Sequence, residues 1–215
     1  MATRKITSEG NLIERVKVFP ASGVNMLERM HEADPSWLVS RCLAGDEDAI
    51  ECLVRRHEAG VFKLAFSIVD DGAEAGEITQ ETFLSALRSL RTYREQQSFK
   101  AWLYTIAVNH SRSHLRRRRA RERLQTTLAA IFRLEVQKQE SPEETVVLNE
   151  KETVLWKALG ELDDKYRIVM VLRYFHEMQV SEIAEILSIP EGTIHSRLHS
   201  AREKLRKALD ILNGE

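Results

Sequence analysis

Residues 180–198 read VSEIAEILSIPEGTIHSRL, and this stretch predicts two short helices joined by a tight turn. Ser181 can cap the first helix, and the small side chain of Ala184 lets the two helices approach closely. Pro190 has no backbone N–H, which suits the end of the turn or the entry of the second helix. The pattern is typical of a helix-turn-helix, whose second helix lies in the major groove of DNA. An ordinary helical hairpin has the same pattern, so both interpretations stay open at this point.

The second helix of this pair divides into an inner and an outer face. Ile194 and Leu198 stand at i, i+4 spacing, so both are expected to point inward. The side chains left facing outward are His195, Ser196, His199 and Arg202. Arg202 opens a basic segment at 202–207 that can contact phosphates or remain a solvated face.

The composition of the 215-residue chain predicts an all-α protein. Leu, Ala, Glu and Arg favour helices and are frequent, whereas there are only four prolines and nine glycines. No apolar run approaches the roughly 20 residues that cross a bilayer, and the N-terminus lacks the apolar core of a signal peptide. We therefore expect a cytoplasmic protein without membrane insertion. Cys42 and Cys52 form no metal-binding motif, and the sequence predicts neither a metal nor a cofactor.

Apolar periodicity predicts two small helical domains joined by a flexible linker. Residues 1–33 show no sustained period and are expected to form a tail. Residues 34–123 predict four helices, and residues 143–215 contain the helix-turn-helix. Residues 124–142 lose the clear pattern and are interpreted as the linker, with room for some helix at its start.

The formal net charge of −1 hides a strong segregation of charge along the chain. Residues 28–87 carry 13 acidic and five basic side chains, whereas residues 88–123 carry 11 basic and two acidic ones. Residues 135–164 are acidic again, with nine acids against three bases. Such a chain can present an acidic face to one partner and a basic face to another. The run Arg116–Arg119 is suited to sequence-independent contacts with phosphates.

The stretch EAGEITQETFL at 74–84 predicts a helix with an acidic, glutamine-bearing face. Its polar members recur at i, i+3 and i+4 spacing and are expected on one exposed side: Glu74, Glu77, Gln80 and Glu81. Such a face suits a basic partner groove, although a merely solvated face has the same pattern. The stretch FKAWLYTIAVN at 99–109 begins with aromatic residues, and we expect Phe99 and Trp102 to be core residues first.

Together these segments resemble the sigma-70 family of bacterial RNA polymerase sigma factors. LDDKYRIVMVLRYF at 162–175, followed by the helix-turn-helix, is similar to region 4, which reads the −35 promoter element. The segments at 74–84 and 99–109, followed by the arginine run, resemble region 2 of the extracytoplasmic-function (ECF) group. The resemblance covers about residues 36–210. It implies a non-catalytic alternative sigma factor that steers core RNA polymerase to particular promoters.

The resemblance also implies roles for individual residues. Those expected on core polymerase, at the β′ coiled coil, are Glu74, Glu77, Gln80, Glu81 and Phe83. Those expected on −10 DNA are Asn109, Arg112, Arg116, Arg117 and Arg118. Those expected on −35 DNA are His195, Ser196 and His199 at base-reading positions, Thr193 and Arg197 at backbone positions, and Arg202 on a phosphate.

Further partners implied by the resemblance are the polymerase β flap and an anti-sigma factor. The chain departs from the family at Gly76, where an acid is usual, and near His195, where Arg or Lys is usual.

Two other classes of protein remain as alternatives. A stand-alone helix-turn-helix regulator would bind DNA without polymerase, and the region 2 motifs argue against it. A nucleic-acid enzyme such as a nuclease would need clustered carboxylates or histidine pairs that hold a metal, whereas the acids here fall on helix surfaces. We therefore expect no catalytic residue.

Overall fold

The computed structural model describes residues 35–94, 98–132 and 150–212, and these residues form eight α-helices. The N-terminal module consists of α1 Pro35–Leu43, α2 Glu47–Val69, α3 Gly72–Ser89 and α4 Phe99–Phe132, with a 3-10 turn at Leu90–Thr92. The C-terminal module consists of α5 Glu150–Gly160, α6 Asp164–Met170, α7 Val180–Leu187 and α8 Glu191–Leu212, with a π turn at Val171–Phe175. The predicted all-α fold is confirmed. The predicted tail at 1–33 and residues 133–142 of the predicted linker lie outside the described residues.

Aspartates set the boundaries of α2 and α3. The Asp46 carboxylate accepts hydrogen bonds from two backbone N–H groups of the first turn, at 3.1 and 3.2 Å, and thereby caps α2. Asp70 ends α2 in the left-handed conformation, with φ of 56°. Asp71 then caps α3 by accepting from the Glu74 N–H at 2.8 Å. The chain therefore reverses within a few residues, and α2 and α3 pack against each other.

Helix α4 is longer than the sequence predicts. Its expected end lay near Arg123, but the helix continues to Phe132. The added residues include Leu and Ala and contain neither Gly nor Pro, so nothing in them stops a helix. From Arg121 to Thr127 every side chain is exposed, so this part of α4 stands in solvent. None of the described helices is both long and apolar enough to cross a bilayer.

The helix-turn-helix of α7 and α8 forms as predicted, with one correction at its start. The N-cap is Gln179 rather than Ser181, because the Glu182 carboxylate reaches back and accepts from the Gln179 N–H at 2.8 Å. Pro190 precedes α8, and its carbonyl accepts from the Thr193 N–H at 2.9 Å. Pro190 thus stands at the entry of the second helix, where its missing donor costs nothing.

The two modules pack against each other. Helix α4 contacts α7, and α2 contacts both α6 and the π turn. The buried core is continuous through both modules, and its largest fully buried side chains include Leu53, Ile78, Leu103, Ile168, Ile183 and Ile194. The first helix of the helix-turn-helix therefore lies on α4, the helix that carries the residues predicted to meet −10 DNA.

Candidate polymerase and nucleic-acid interfaces

Helix α4 carries two rows of polar side chains on opposite sides. Because an α-helix has about 3.6 residues per turn, positions 110, 114 and 118 form one row and positions 109, 112 and 116 form another. The first row faces α3, with which all three of its side chains form polar contacts. In the second row Asn109 and Arg116 are exposed and Arg112 is half-buried. One helix therefore connects the acidic surface of α3 with a basic surface on its own far side.

The two histidines of the first row pair with one acid of α3. The Glu81 Oε2 atom lies 3.1 Å from His110 Nδ1 and 3.2 Å from His114 Nε2. On its other side, His110 Nε2 lies 2.9 Å from the Ser85 hydroxyl oxygen. His114 is buried, whereas His110 and Glu81 are half-buried. These contacts bind α3 and α4 together near the surface of the module.

Arg118 belongs to the same row and lies on the α3 side of the helix, not in the row of Asn109. Its Nη1 atom lies 3.3 Å from Glu74 Oε2 and donates to the Val69 carbonyl at 3.1 Å, at the end of α2. Four consecutive arginines wrap around a helix, so they cannot all share one face. Arg116 and Arg117 remain exposed.

The predicted exposed face of α3 is only partly exposed. Glu77 and Gln80 are exposed, whereas Glu74 and Glu81 are half-buried in the pairs with α4. Phe83 is 3% exposed and packs in the core, so it supports α3 from inside and is not a surface contact in this structure. The face open to a partner consists of Glu77 and Gln80, flanked by the two paired carboxylates.

The far side of α4 meets the C-terminal module through an ion pair. The Arg119 guanidinium donates to both oxygens of Asp164, at 2.8 and 2.6 Å, and these hydrogen bonds raise the pKa of Arg119. Burial lowers the pKa of Arg112, and the charge of Arg197 on α8 lowers it further, while Asp164 opposes both effects. Asp164 thus brings a negative charge from the C-terminal module to two arginines of α4.

The outer face of α8 forms as the sequence predicts. Ile194 and Leu198 point inward, with 0% and 3% of their surface exposed. The exposed side chains are His195, Ser196, His199 and Arg202. Thr193 and Arg197 are half-buried, and Arg197 lies close enough to Arg112 of α4 for its charge to lower the pKa of Arg112. The base-reading candidates are therefore open, whereas one backbone-contact candidate is turned toward the N-terminal module.

An aromatic cluster fixes the start of α4. The Phe99 ring lies 5.3 Å from the Tyr93 ring and 5.4 Å from the Trp102 ring, and His57 of α2 adds a fourth ring at 5.2 Å. Phe99 is 5% exposed and Trp102 is half-buried, so their predicted core role is confirmed. Burial lowers the pKa of His57 to about 4, so this imidazole is neutral near pH 7. The cluster anchors the helix that carries Asn109.

Two contacts between the modules were not predicted from the sequence. Arg167 of α6 is buried and donates to three backbone carbonyls, two at the end of α5 and one at Ile68, at 2.9 Å, near the end of α2. The Tyr104 hydroxyl lies 3.1 Å from His176 Nδ1, and burial lowers the pKa of His176 to about 4. For Arg167 the sequence contained one signal, which was its position directly before the apolar run 168–172. An arginine in such a run is buried only if hydrogen-bond acceptors surround it, so the position indicated a buried polar contact.

The cysteines and acids give no sign of a metal centre in the described ranges. Cys42 and Cys52 are buried free thiols, and burial raises the pKa of Cys42 to about 12. No group of three or more His, Cys, Asp or Glu side chains within those ranges is arranged to hold a metal ion.

Known sequences place both modules in one family. The family profile "Sigma-70 region 2" matches residues 53–121, and "Sigma-70, region 4" matches residues 153–205. ECF RNA polymerase sigma factor SigW of Bacillus subtilis is 34% identical over 170 residues, which cover 77% of this chain and 91% of that protein. RNA polymerase sigma-H factor of Pseudomonas aeruginosa is 33% identical over 183 residues, which cover 83% of this chain and 95% of that protein.

Solved structures show the same fold. CnrH, in its complex with the cytosolic domain of CnrY, matches with a TM-score of 0.59 and 26% identity, over 81% of this chain and 96% of that chain. The sigma factor RpoE of Bartonella quintana, in complex with the anti-sigma factor NepR, matches with a TM-score of 0.57 and 23% identity, over 75% and 96% of the two chains. This second likeness concerns the fold alone.

Proposed function

This chain belongs to the sigma-70 family of RNA polymerase sigma factors, within the ECF group, and we propose how its surfaces divide the work. It is an alternative sigma factor that directs transcription by core RNA polymerase. In our proposal residues 34–123 dock on the polymerase and take the −10 element, residues 143–215 read the −35 element, and residues 124–142 join them. The observation that carries the proposal is the two-sided α4, with paired acids on the α3 side and an amide and arginines on the other.

Docking on core polymerase uses the acidic face of α3. Glu77 and Gln80 are exposed there, and the carboxylates of Glu74 and Glu81 flank them. An acidic helical face is complementary to a basic one, and the β′ coiled coil is the partner that the family implies. Complementary charges mainly accelerate the encounter of two proteins, and salt screens them. The rate at which this protein associates with core polymerase should therefore fall with rising salt concentration.

A second docking surface lies on the C-terminal module. Tyr174 and Phe175 at the π turn are exposed, and the Phe175 ring lies 4.7 Å from that of Trp156. Clustered exposed aromatic side chains are typical of protein contacts. We assign this patch to the polymerase β flap.

Promoter DNA meets the far side of α4 and the outer face of α8. The exposed Asn109 amide can form paired hydrogen bonds with the edge of an unstacked base, and Arg116 on the same side can approach phosphates. Arg117 is also exposed, although its position is closer to the row that faces α3. On α8, His195 and His199 stand one turn apart on the outer face. Each neutral imidazole offers one donor and one acceptor to base edges in the major groove.

The packed arrangement of the modules restricts these DNA surfaces. Arg119 is bound to Asp164, and Arg112 and Arg197, one from each module, are half-buried. In the proposal the modules separate when both surfaces reach promoter DNA. A partner that holds them together would keep the protein inactive. An anti-sigma factor is the partner class we propose, because the family implies one.

Two sets of variants test the division of work. Glu77→Lys with Gln80→Ala is expected to weaken association with core polymerase, measured by fluorescence anisotropy, without changing which promoters the remaining holoenzyme uses. His195→Ala with His199→Ala is expected to leave that association unchanged and to abolish initiation that depends on the −35 element. The opposite pattern of effects would reverse the assignment. Sequence-specific DNA binding by a protein that never associates with core polymerase would instead identify a stand-alone regulator.

A further inference from the structure

Glu81 is held differently from the other paired acid of α3. Both of its contacts fall on Oε2, at 3.1 Å from His110 Nδ1 and 3.2 Å from His114 Nε2. Its side chain is still 39% exposed, whereas those of His110 and His114 are 26% and 9% exposed. The carboxylate is therefore fixed at one oxygen from within the module while the group as a whole remains accessible to a partner.

The hydrogen-bond chemistry of this cluster works with neutral histidines. An ionised carboxylate only accepts hydrogen bonds, so each ring nitrogen that faces Glu81 must carry a proton. With His110 protonated at Nδ1 alone, its Nε2 atom accepts from the Ser85 hydroxyl at 2.9 Å. With His114 protonated at Nε2 alone, it donates to the same carboxylate oxygen. The cluster thus forms without any positive charge.

The choice of histidine has a consequence for the charge at the surface. Arg118, which is always cationic, pairs with Glu74 and cancels its negative charge. A neutral imidazole donor orients a carboxylate but leaves its charge available to a basic partner. Between two neutral histidines, the Glu81 carboxylate is therefore oriented without having its charge cancelled.

We propose that His110 and His114 are positioning residues for polymerase docking. They hold the Glu81 carboxylate in one orientation before the partner arrives, so less side-chain freedom is lost on binding. This inference rests on the proposed role of Glu81 in core binding. From the ordering cost of one flexible side chain, we expect removal of either donor to weaken holoenzyme formation about 3- to 10-fold.

The test is a set of matched substitutions, with affinity for core polymerase measured by anisotropy of the labelled full-length protein at about pH 8, where an ordinary histidine is neutral. His110→Ala and His114→Ala remove the donors. His110→Asn and His114→Gln keep a neutral N–H donor in place of Nδ1 and of Nε2, respectively. Thr126→Ala, an exposed substitution further along α4, is the control for an unrelated change in the same helix.

The expected result is weaker binding for both alanine variants, affinity close to the original for the amide variants, and no further loss when either alanine change is added to Glu81→Ala. The inference is overturned if Glu81→Ala weakens binding but the histidine variants do not. It is equally overturned if the histidine variants lose affinity to the same extent in the Glu81→Ala background, since they would then act elsewhere. If Glu81→Ala itself binds normally, the proposed role of Glu81 in docking is wrong. Urea unfolding checks the fold, and the half-exposed His110 carries the test if His114→Ala is destabilised.

Discussion

Replacement of Arg167 by Met tests a buried contact that joins the two modules. The Arg167 guanidinium donates to three backbone carbonyls, at Leu159, Gly160 and Ile68, near the ends of α5 and α2. Met has a similar length and fills the apolar part of the site, but it donates nothing. Three acceptors at helix ends then lose their donors, and one of the hydrogen bonds between the modules, from Arg167 to the Ile68 carbonyl, disappears.

The expected change in the free energy of unfolding of Arg167→Met results from two opposing effects. Hydrogen bonds from a charged donor contribute about 1.5–3 kcal/mol each, so the three together contribute roughly 5–9 kcal/mol before any offset. Burial of the cation, which lowers the pKa of Arg167, costs several kcal/mol, and this cost disappears in the Met variant. Water can also reach part of the vacated helix ends. We therefore expect a net loss of about 2–4 kcal/mol in the free energy of unfolding.

Equilibrium urea unfolding, followed by far-UV circular dichroism, measures this loss. Arg206→Met is the matched control, because Arg206 is exposed and its ion pair with Glu203, at 3.0 Å, lies in solvent; we expect a change below about 0.5 kcal/mol. Arg167→Lys keeps the charge, but its donors sit on one nitrogen, whereas the guanidinium reaches the three carbonyls from three different nitrogens, so this variant is expected to lose stability as well. If Arg167→Met matches the original protein within about 0.5 kcal/mol, the guanidinium does not stabilise the packed arrangement and our reasoning about it is refuted.

Gly76→Ala is expected to stabilise the protein by about 0.5–1 kcal/mol, since a Cβ there meets no atom within 4 Å and Ala favours the helix; unchanged or lower stability in urea would contradict this. Stability is also expected to fall as the pH drops from about 6.5 to about 4, because burial lowers the pKa of His57 and His176 to about 4, so in that window these two side chains bind protons only in the unfolded chain. Unfolding curves across that range should show this slope, and His57→Asn or His176→Asn should flatten it. Asp164→Asn weakens the pair with Arg119, so small-angle scattering should give a larger radius of gyration in the variant; an identical radius would show that this pair does not hold the modules together.

Features that depend on local pattern could be predicted from the sequence. The inward positions of Ile194 and Leu198 and the buried Phe99 follow from helical spacing, which is a property of neighbouring residues. The Asp46 cap follows from residue type at a helix start. The end of α4 could not be placed in the same way, because residues 124–132 contain neither a stop signal nor a clear apolar period.

Features that depend on tertiary packing could not be predicted in this way. Arg167 finds its acceptor at Ile68, and no local pattern connects two residues so far apart in the chain. Arg118 is a different case, since its i, i+4 relation to His114 already placed it on the α3 side of the helix. The prediction grouped Arg116–Arg119 as one basic surface, although helical spacing separates these four side chains. The exposed or buried state of Glu74 and Glu81 likewise depended on which side chains α4 turned toward them.

Run-off transcription with core RNA polymerase, with and without this protein, on a library of genomic fragments tests sigma activity most directly. We expect start sites that occur only when the protein is present, that share two spaced sequence elements, and that are lost with the His195→Ala, His199→Ala variant. DNA binding without any start site that depends on the protein would contradict the account.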